Sequence, residues 1–200
     1  MSNIEPNDIK IGLVIMASGL GKRFGGNKLM SELGDKPLIK WIIDATDGLF
    51  EERVVVTRSI DVKDLCNLSG IECIVHDFPG RNDTVRLGLN AIMDEVDYCF
   101  FIPGDQPLIG KETVSSLVKK AKKNKDYIVR TSYGDIAGAP VGFPKQLFNE
   151  LLNLPEGKGG NLIAKKNPQL VHTVEVQHEY ELWDVDTVDD LIKIKDILHK

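Results

Sequence analysis

The stretch KIGLVIMA, residues 10–17, is apolar from Ile11 onward with no polar alternation. It stops at a glycine-rich segment, SGLGKRFGGNK, which carries Lys22, Arg23 and Lys28. An apolar run without alternation implies a strand covered on both faces, as in the middle of a parallel sheet. Glycines and cations at the end of such a strand imply a backbone that closely approaches an anion.

The rest of the chain repeats the arrangement. Strands are expected at RVVVT (53–57), IECIVH (71–76) and DYCFFIP (97–103). They alternate with expected helices at 37–46, with Pro37 in the first turn, and at 61–67, 83–96 and 111–124. In the third of these helices, Val85, Leu89, Ile92 and Val96 share one face. YIVRT and GAPVGFP suggest two further strands around a turn at Gly134-Asp135. A last helix is expected at 187–199, with Thr187 and Asp190 spaced as a capping box. Alternation of this kind builds βαβ units and a mostly parallel sheet, whose ligands bind beyond the carboxyl ends of the strands. Segments 18–28 and 103–108 each follow an expected strand, so they are expected to meet at one crevice.

Charge and composition exclude several classes. A net charge of −5 gives no general attraction for nucleic acid, and the lysine run at 119–125 reads as a solvated helix face. No apolar run approaches the ~20 residues that span a bilayer, and the polar start MSNIEPNDIKIG does not resemble a signal peptide. Cys66, Cys73 and Cys99 are odd in number and lack metal-binding spacing, which suits reduced thiols in the cytoplasm. His76, His172, His178 and His199 also lack ligand spacing and read as structural or exposed.

Two familiar phosphate loops fail by spacing. A Walker A motif would place glycine at Met16 and Ser or Thr at Arg23, and a dinucleotide fingerprint would place glycine at Phe24. What remains is Ala-Ser-Gly-x-Gly-x-Arg-Phe-Gly followed by Lys28. Its two fixed cations, Arg23 and Lys28, suit a polyanion.

The segment MASGLGKRFGGNKLM resembles the signature of the MobA-like nucleotidyltransferases, especially the molybdenum cofactor cytidylyltransferases. PGDQPLI (103–109) is similar to that family's metal-binding segment, GAPVGFPKQLFNELLNLPEGKGGNLI (138–163) to its acceptor-side region, and LWDVDTVDDL (182–191) to its C-terminal Asp-x-Asp-Thr motif. The resemblance covers nearly the whole chain. It implies one domain over 1–200, folded as a Rossmann-like three-layer α/β sandwich with a mostly parallel sheet and an antiparallel addition near 127–144. Two departures stand out. Ser18 occupies a position, associated with choice of base, that is usually Ala or Gly in the family. GRNDTVRLGL (80–89) looks more like the corresponding segment of methylerythritol-phosphate cytidylyltransferases.

The resemblance implies transfer of a nucleoside monophosphate from an NTP, CTP favoured over GTP, to molybdopterin or its molybdenum-loaded form. It also implies Mg²⁺ as cofactor and a molybdenum hydroxylase as a further partner. Arg23, Lys28 and Asp105 are the implied catalytic residues, and Asp105 and Asp186 the metal ligands. Ala17, Ser18, Gly19, Gly21, Arg23, Lys28, Asp83, Thr84 and Gly104 would bind nucleotide. Two alternatives stay open: a cytidylyltransferase acting on a sugar or polyol phosphate, and a non-catalytic accessory protein that binds the molybdenum cofactor. By their own spacing, Asp105 also suits a turn, Asp184 and Asp186 a helix N-terminus, and Asp83 and Thr84 a helix cap. Lys28, in a glycine-rich loop, is expected to contribute little to packing.

Overall fold

The apolar run forms β1 (Ile11–Ala17) at the centre of a sheet in this computed structural model, which describes residues 9–21, 23–80 and 82–198. Residues 1–8, Lys22 and His199 lie outside the described residues. Every β1 residue except Met16 is buried, as a strand covered on both faces requires. The other strands are β2 (Glu32–Leu33), β3 (Lys36–Pro37), β4 (Glu52–Thr57), β5 (Glu72–Val75), β6 (Tyr98–Pro103), β7 (Ile128–Tyr133), β8 (Ile136–Pro144) and β9 (Val171–Glu175). Seven of them form one sheet in the order β5-β4-β1-β6-β8-β7-β9, and β2 and β3 pair as a small separate hairpin. β4 and β6 flank β1 in parallel. β8 alone runs against its neighbours β6 and β7.

The antiparallel addition therefore falls at the expected residues, but as a strand inserted within the sheet. β7 itself runs parallel to β9, a half-exposed strand that periodicity did not reveal.

The helices are α1 (Leu38–Ala45), α2 (Ile60–Leu68), α3 (Asp83–Ile92), α4 (Lys111–Lys123), α5 (Phe148–Leu152), α6 (Asn161–Lys166) and α7 (Val188–Leu198). Ile11, Leu13 and Ile15 of β1 join one core with buried residues of α1, α2, α4 and α7, whereas Val14 joins the opposite core with α3, α5 and α6. The result is three layers. Pro37 precedes α1 rather than occupying its first turn. α3 stops at Ile92, short of the expected 96, because the chain tightens there into a turn closed by Glu95 N–H on the Ile92 carbonyl at 3.0 Å. Val96 is nonetheless 1% exposed, so the apolar face was read correctly beyond the helix end. All three cysteines are free thiols.

α3 lies unusually close to the sheet. A Cβ on Gly88 would sit 2.4 Å from Val14 Cγ1, and one on Gly12 would sit 2.7 Å from Ile92 Cδ1. Gly88→Ala improves helix propensity by ~1 kcal/mol, yet is expected to destabilise the protein by about 1–3 kcal/mol through overpacking. Chemical denaturation measures the sign, and a net gain would contradict this close packing.

Candidate active site

After β1 the next strand of this sheet is β4, on one side of it, and the chain later returns to β6 on the other. The carboxyl ends of β1 and β6 thus form a switch point, where the diverging connections leave a crevice. Gly104 N–H donates to Met16 O at 2.9 Å, which joins the two strand ends directly. Above them lies a cavity of about 890 Å³, lined by the glycine-rich segment, Asp105, Asp186 and the loop 157–159, among others.

The glycine-rich segment turns sharply. Gly21 has φ +56°, and a Cβ there would stand 2.8 Å from Gly26 O. The Gly21 carbonyl accepts from the N–H groups of Phe24 and Gly25. This turn leads to Lys28 in a single 3-10 turn. The Lys28 ammonium donates to Asp105 Oδ2 at 2.6 Å and to Val185 O at 2.7 Å, with Asp186 Oδ1 at 3.4 Å. Its three N–H donors thus face three protein acceptors. Lys28 is 7% exposed, so the expectation of a loop lysine with little packing role is overturned. Desolvation of an ammonium demands such partners. Arg23, by contrast, is exposed and reaches Asp186 Oδ2 at 2.7 Å.

Asp186 is held by the start of α7. Thr187 and Asp190 form the expected capping box: Asp190 Oδ2 accepts from Thr187 N–H at 2.9 Å, and Asp190 N–H donates to Thr187 Oγ1 at 3.2 Å. Asp190 Oδ2 also accepts from Asp186 N–H at 3.2 Å, fixing the backbone from which the Asp186 carboxylate projects. The Thr187 hydroxyl, opposed by desolvation and aided by the backbone donors, holds the Asp190 carboxyl below its ordinary value. The cap therefore persists at mildly acidic pH and is lost only as pH falls through that lowered value. Asp190→Ala is expected to cost about 0.5–2 kcal/mol of stability as a lost cap. Misplacing Asp186 should also lower turnover by about ten-fold. Melting and turnover measured on one sample check both, and unchanged turnover would contradict the positioning role.

Asp184 is exposed and does not touch Lys28. The surrounding protein and then the Asp105 carboxylate push its carboxyl up to about 6. Val185 N–H donates to Asp105 O at 2.9 Å and Gln106 Nε2 donates to Leu182 O at 3.2 Å, so the loop after β6 and the segment before α7 are bonded in both directions beside Lys28.

The other side of the crevice lies over β4 and β5. Ser18 Oγ donates to Val56 O at 3.1 Å and lies 2.8 Å from His76 Nε2. Thr84 is buried at the cavity wall. Asp83 is the first residue of α3 and reaches back to accept from Gly80 N–H at 2.9 Å, closing the preceding turn. Asn82 and Arg86 tie this helix start to the carbonyls of Leu152, Leu154 and Pro155.

Eight of the expected site residues line the one cavity: Ser18, Gly19, Gly21, Arg23, Lys28, Thr84, Asp105 and Asp186. Three stand behind it. Ala17 is 4% exposed and accepts from Thr57 Oγ1, Gly104 seals the strand ends, and Asp83 braces its turn. Arg58 and Pro79 also line the cavity and were not anticipated, whereas Asn82 lies in the 80–89 segment and Lys158 in the GKGG segment that the resemblances had included. Nothing in the local pattern at Arg58 or Pro79 distinguishes them from ordinary loop residues.

Among the described residues, no group of three or more His, Cys, Asp or Glu side chains could hold a metal ion. Asp105 and Asp186 do converge, since one ammonium touches both. Two carboxylates with room for further oxygen ligands fit Mg²⁺, which keeps waters and takes phosphate oxygens.

A family model described as the MobA-like NTP transferase domain matches residues 13–173. The chain is 27% identical over 193 residues to a probable molybdenum cofactor guanylyltransferase of Pyrococcus furiosus, covering 90% of this chain and 94% of that relative. It is 30% identical over 123 residues to a 2-C-methyl-D-erythritol 4-phosphate cytidylyltransferase of Endomicrobium trichonymphae, covering 58% of this chain and 56% of that relative, little more than half its length. In fold it matches a nucleotidyl transferase from Methanothermobacter thermautotroptrophicus with a TM-score of 0.83 at 19% identity, over 95% of this chain and 98% of the other. With a family model matched across most of its length, the chain belongs to the MobA-like NTP transferase domain family.

Proposed function

We propose that the protein transfers a nucleoside monophosphate from CTP to the phosphate of molybdopterin or its molybdenum-loaded form, releasing pyrophosphate. The observation that carries this reading is the meeting of Lys28, Arg23, Asp105 and Asp186 at the β1–β6 switch point. An acceptor phosphate oxygen attacks the α-phosphorus, a new P–O bond forms, and the bond from that phosphorus to the bridging oxygen breaks. Pyrophosphate leaves with the electron pair. Such chemistry needs alignment and charge neutralisation rather than a protein nucleophile.

In this reading Asp105 and Asp186 hold Mg²⁺, which supplies charge neutralisation to the phosphate oxygens when bound. The remaining work falls to the chain. Lys28 exchanges its longest contact, with Asp186, for a phosphate oxygen, while Asp105 and Val185 O keep its ammonium in place. Arg23, exposed beside Asp186, closes its guanidinium over the β- and γ-phosphates. Backbone N–H groups of the glycine-rich turn approach the same anion. In the same reading Lys158, which lines the cavity, meets the acceptor phosphate. A cytoplasmic location belongs to the same reading; among the described residues no helix is long and apolar enough to cross a membrane.

A sugar or polyol phosphate as acceptor is favoured by one observation, the 30% identity to the methylerythritol-phosphate enzyme. GTP as donor is favoured by the name of the Pyrococcus relative. The experiment is a matrix of the four NTPs against molybdopterin, molybdenum cofactor and several sugar phosphates, read by pyrophosphate release. CTP with a pterin acceptor is the expected active pair. Turnover with a sugar phosphate alone would replace the acceptor, and turnover with GTP alone would replace the donor. Pterin binding without pyrophosphate from any NTP would indicate the non-catalytic accessory role.

A further inference from the structure

We propose that His76 fixes the Ser18 hydroxyl as a hydrogen-bond acceptor toward the cavity, so that the site selects nucleobases presenting an amino group there, cytosine over uracil. This rests on the nucleotide reading above and goes beyond it, because it assigns a selecting element to a residue that no motif includes.

The two sides of the crevice differ in charge. Lys28 bonds residues that follow β6 and precede α7, so the cations and carboxylates gather over β6. Ser18 bonds the Val56 carbonyl of β4 and the His76 ring just after β5. The wall on that side is formed by Pro79, Gly80, Asn82, Thr84 and Val85, with the Arg58 side chain also lining it after β4. A triphosphate belongs on the first side and a neutral planar base on the second.

A serine hydroxyl has one proton and two lone pairs. Val56 O, 3.1 Å away, can only accept, so its pairing with Ser18 Oγ takes that proton. His76 Nε2 stands 2.8 Å from Ser18 Oγ and must then be the donor. The alternative tautomer would place a proton on Nδ1. That atom is buried without a hydrogen-bond partner, and a buried orphan N–H is rarer and costlier than an under-used lone pair. His76 is 8% exposed as a residue and its Nδ1 atom is buried, so water does not offer a substitute.

Desolvation, then the Arg58 charge, lowers the His76 pKa, while Asp83 and Asp77 oppose them. The neutral ring with one N–H is the form these surroundings favour. Ser18 consequently retains one lone pair for a ligand and no proton. Cytosine can offer its exocyclic amino group to that lone pair. Uracil would present a carbonyl oxygen at the same place and meet repulsion. Without the His76 donor, only the longer contact with Val56 O holds the hydroxyl, so it can turn and donate to a ligand, and the distinction weakens.

The test is calorimetric titration of CTP and UTP, each with Mg²⁺, into the wild type, His76→Leu, His76→Gln and Ser18→Ala, with melts to establish folding. The wild type is expected to bind CTP roughly ten-fold more tightly than UTP, the range of one well-made hydrogen bond. His76→Leu should bring the two within about two- to three-fold. His76→Gln, which keeps an N–H near the Nε2 position, should restore most of the difference. Ser18→Ala should abolish it and make a second His76→Leu change silent. A wild-type ratio in folded His76→Leu or in Ser18→Ala would overturn the proposal while leaving the nucleotide site intact. Failure of the wild type to bind either nucleotide would instead overturn the function proposed above, and this selection with it.

Discussion

Lys28→Met is expected to lower turnover by about 10²–10³-fold, the loss typical of one transition-state charge donor. It should also destabilise the fold by about 1–3 kcal/mol, less than a fully buried ion pair would because Asp105 and Asp186 keep solvent contact. The stability effect distinguishes this residue from an ordinary loop cation. Lys28 is 7% exposed and is the shared partner of Asp105, Asp186 and the Val185 carbonyl. Methionine fills similar volume but leaves two neighbouring carboxylates with no ammonium between them. Turnover and melting temperature measured on the same preparation test both effects. Retained turnover would remove Lys28 from the site, and an unchanged melt would contradict its buried bridging role.

Three aspartates should separate in a definite order. Asp105→Asn is expected to depress Mg²⁺-dependent turnover by about 10²-fold or more, because it removes the charge nearest Lys28 and one proposed metal ligand. The fold should survive, since the backbone bond from Val185 N–H to Asp105 O is untouched. Asp186→Asn should be milder: an amide oxygen still ligates a hard cation, although Arg23 loses a charged partner. Asp184→Asn should do least. Asp184 is not among the hydrogen-bond partners of Lys28, which holds Asp105 and Asp186 instead. A crippled Asp184→Asn beside a silent Asp186→Asn would contradict the assignment of the metal site to Asp186 and move it to Asp184.

What was legible in the sequence follows from the range over which each feature is determined. β1 declared itself because all of its residues but Met16 are buried, on both faces of the strand. α3 showed its apolar stripe, and Thr187 with Asp190 showed the cap of α7, because both patterns lie within one or two helical turns. β9 stayed hidden because VHTVE is a half-exposed strand, and its polar residues read equally well as loop. The insertion of β8 between β6 and β7 was not legible either, since strand order is decided by packing between distant segments.

The same division runs through the site. The glycine-rich segment and Asp105 are local motifs, and both line the cavity. The burial of Lys28 depends on Val185, 157 positions away, and the partnership of Ser18 with His76 spans 58 positions. His76 was read as structural or exposed for that reason. Asp83 was assigned to nucleotide or cap, yet its carboxylate is engaged by Gly80 N–H, a contact that depends on the turn preceding α3.

The central claim is that nucleotide binds over the β1–β6 switch point. Hydrogen–deuterium exchange with and without CTP and Mg²⁺ addresses it directly. Protection is expected in the backbone of residues 17–28, 79–85 and 103–106 and around 185–187, the segments that meet at the large cavity. Protection confined to the smaller cavity of about 370 Å³ beside Thr113, His178 and Tyr180, with the glycine-rich segment unchanged, would contradict the account.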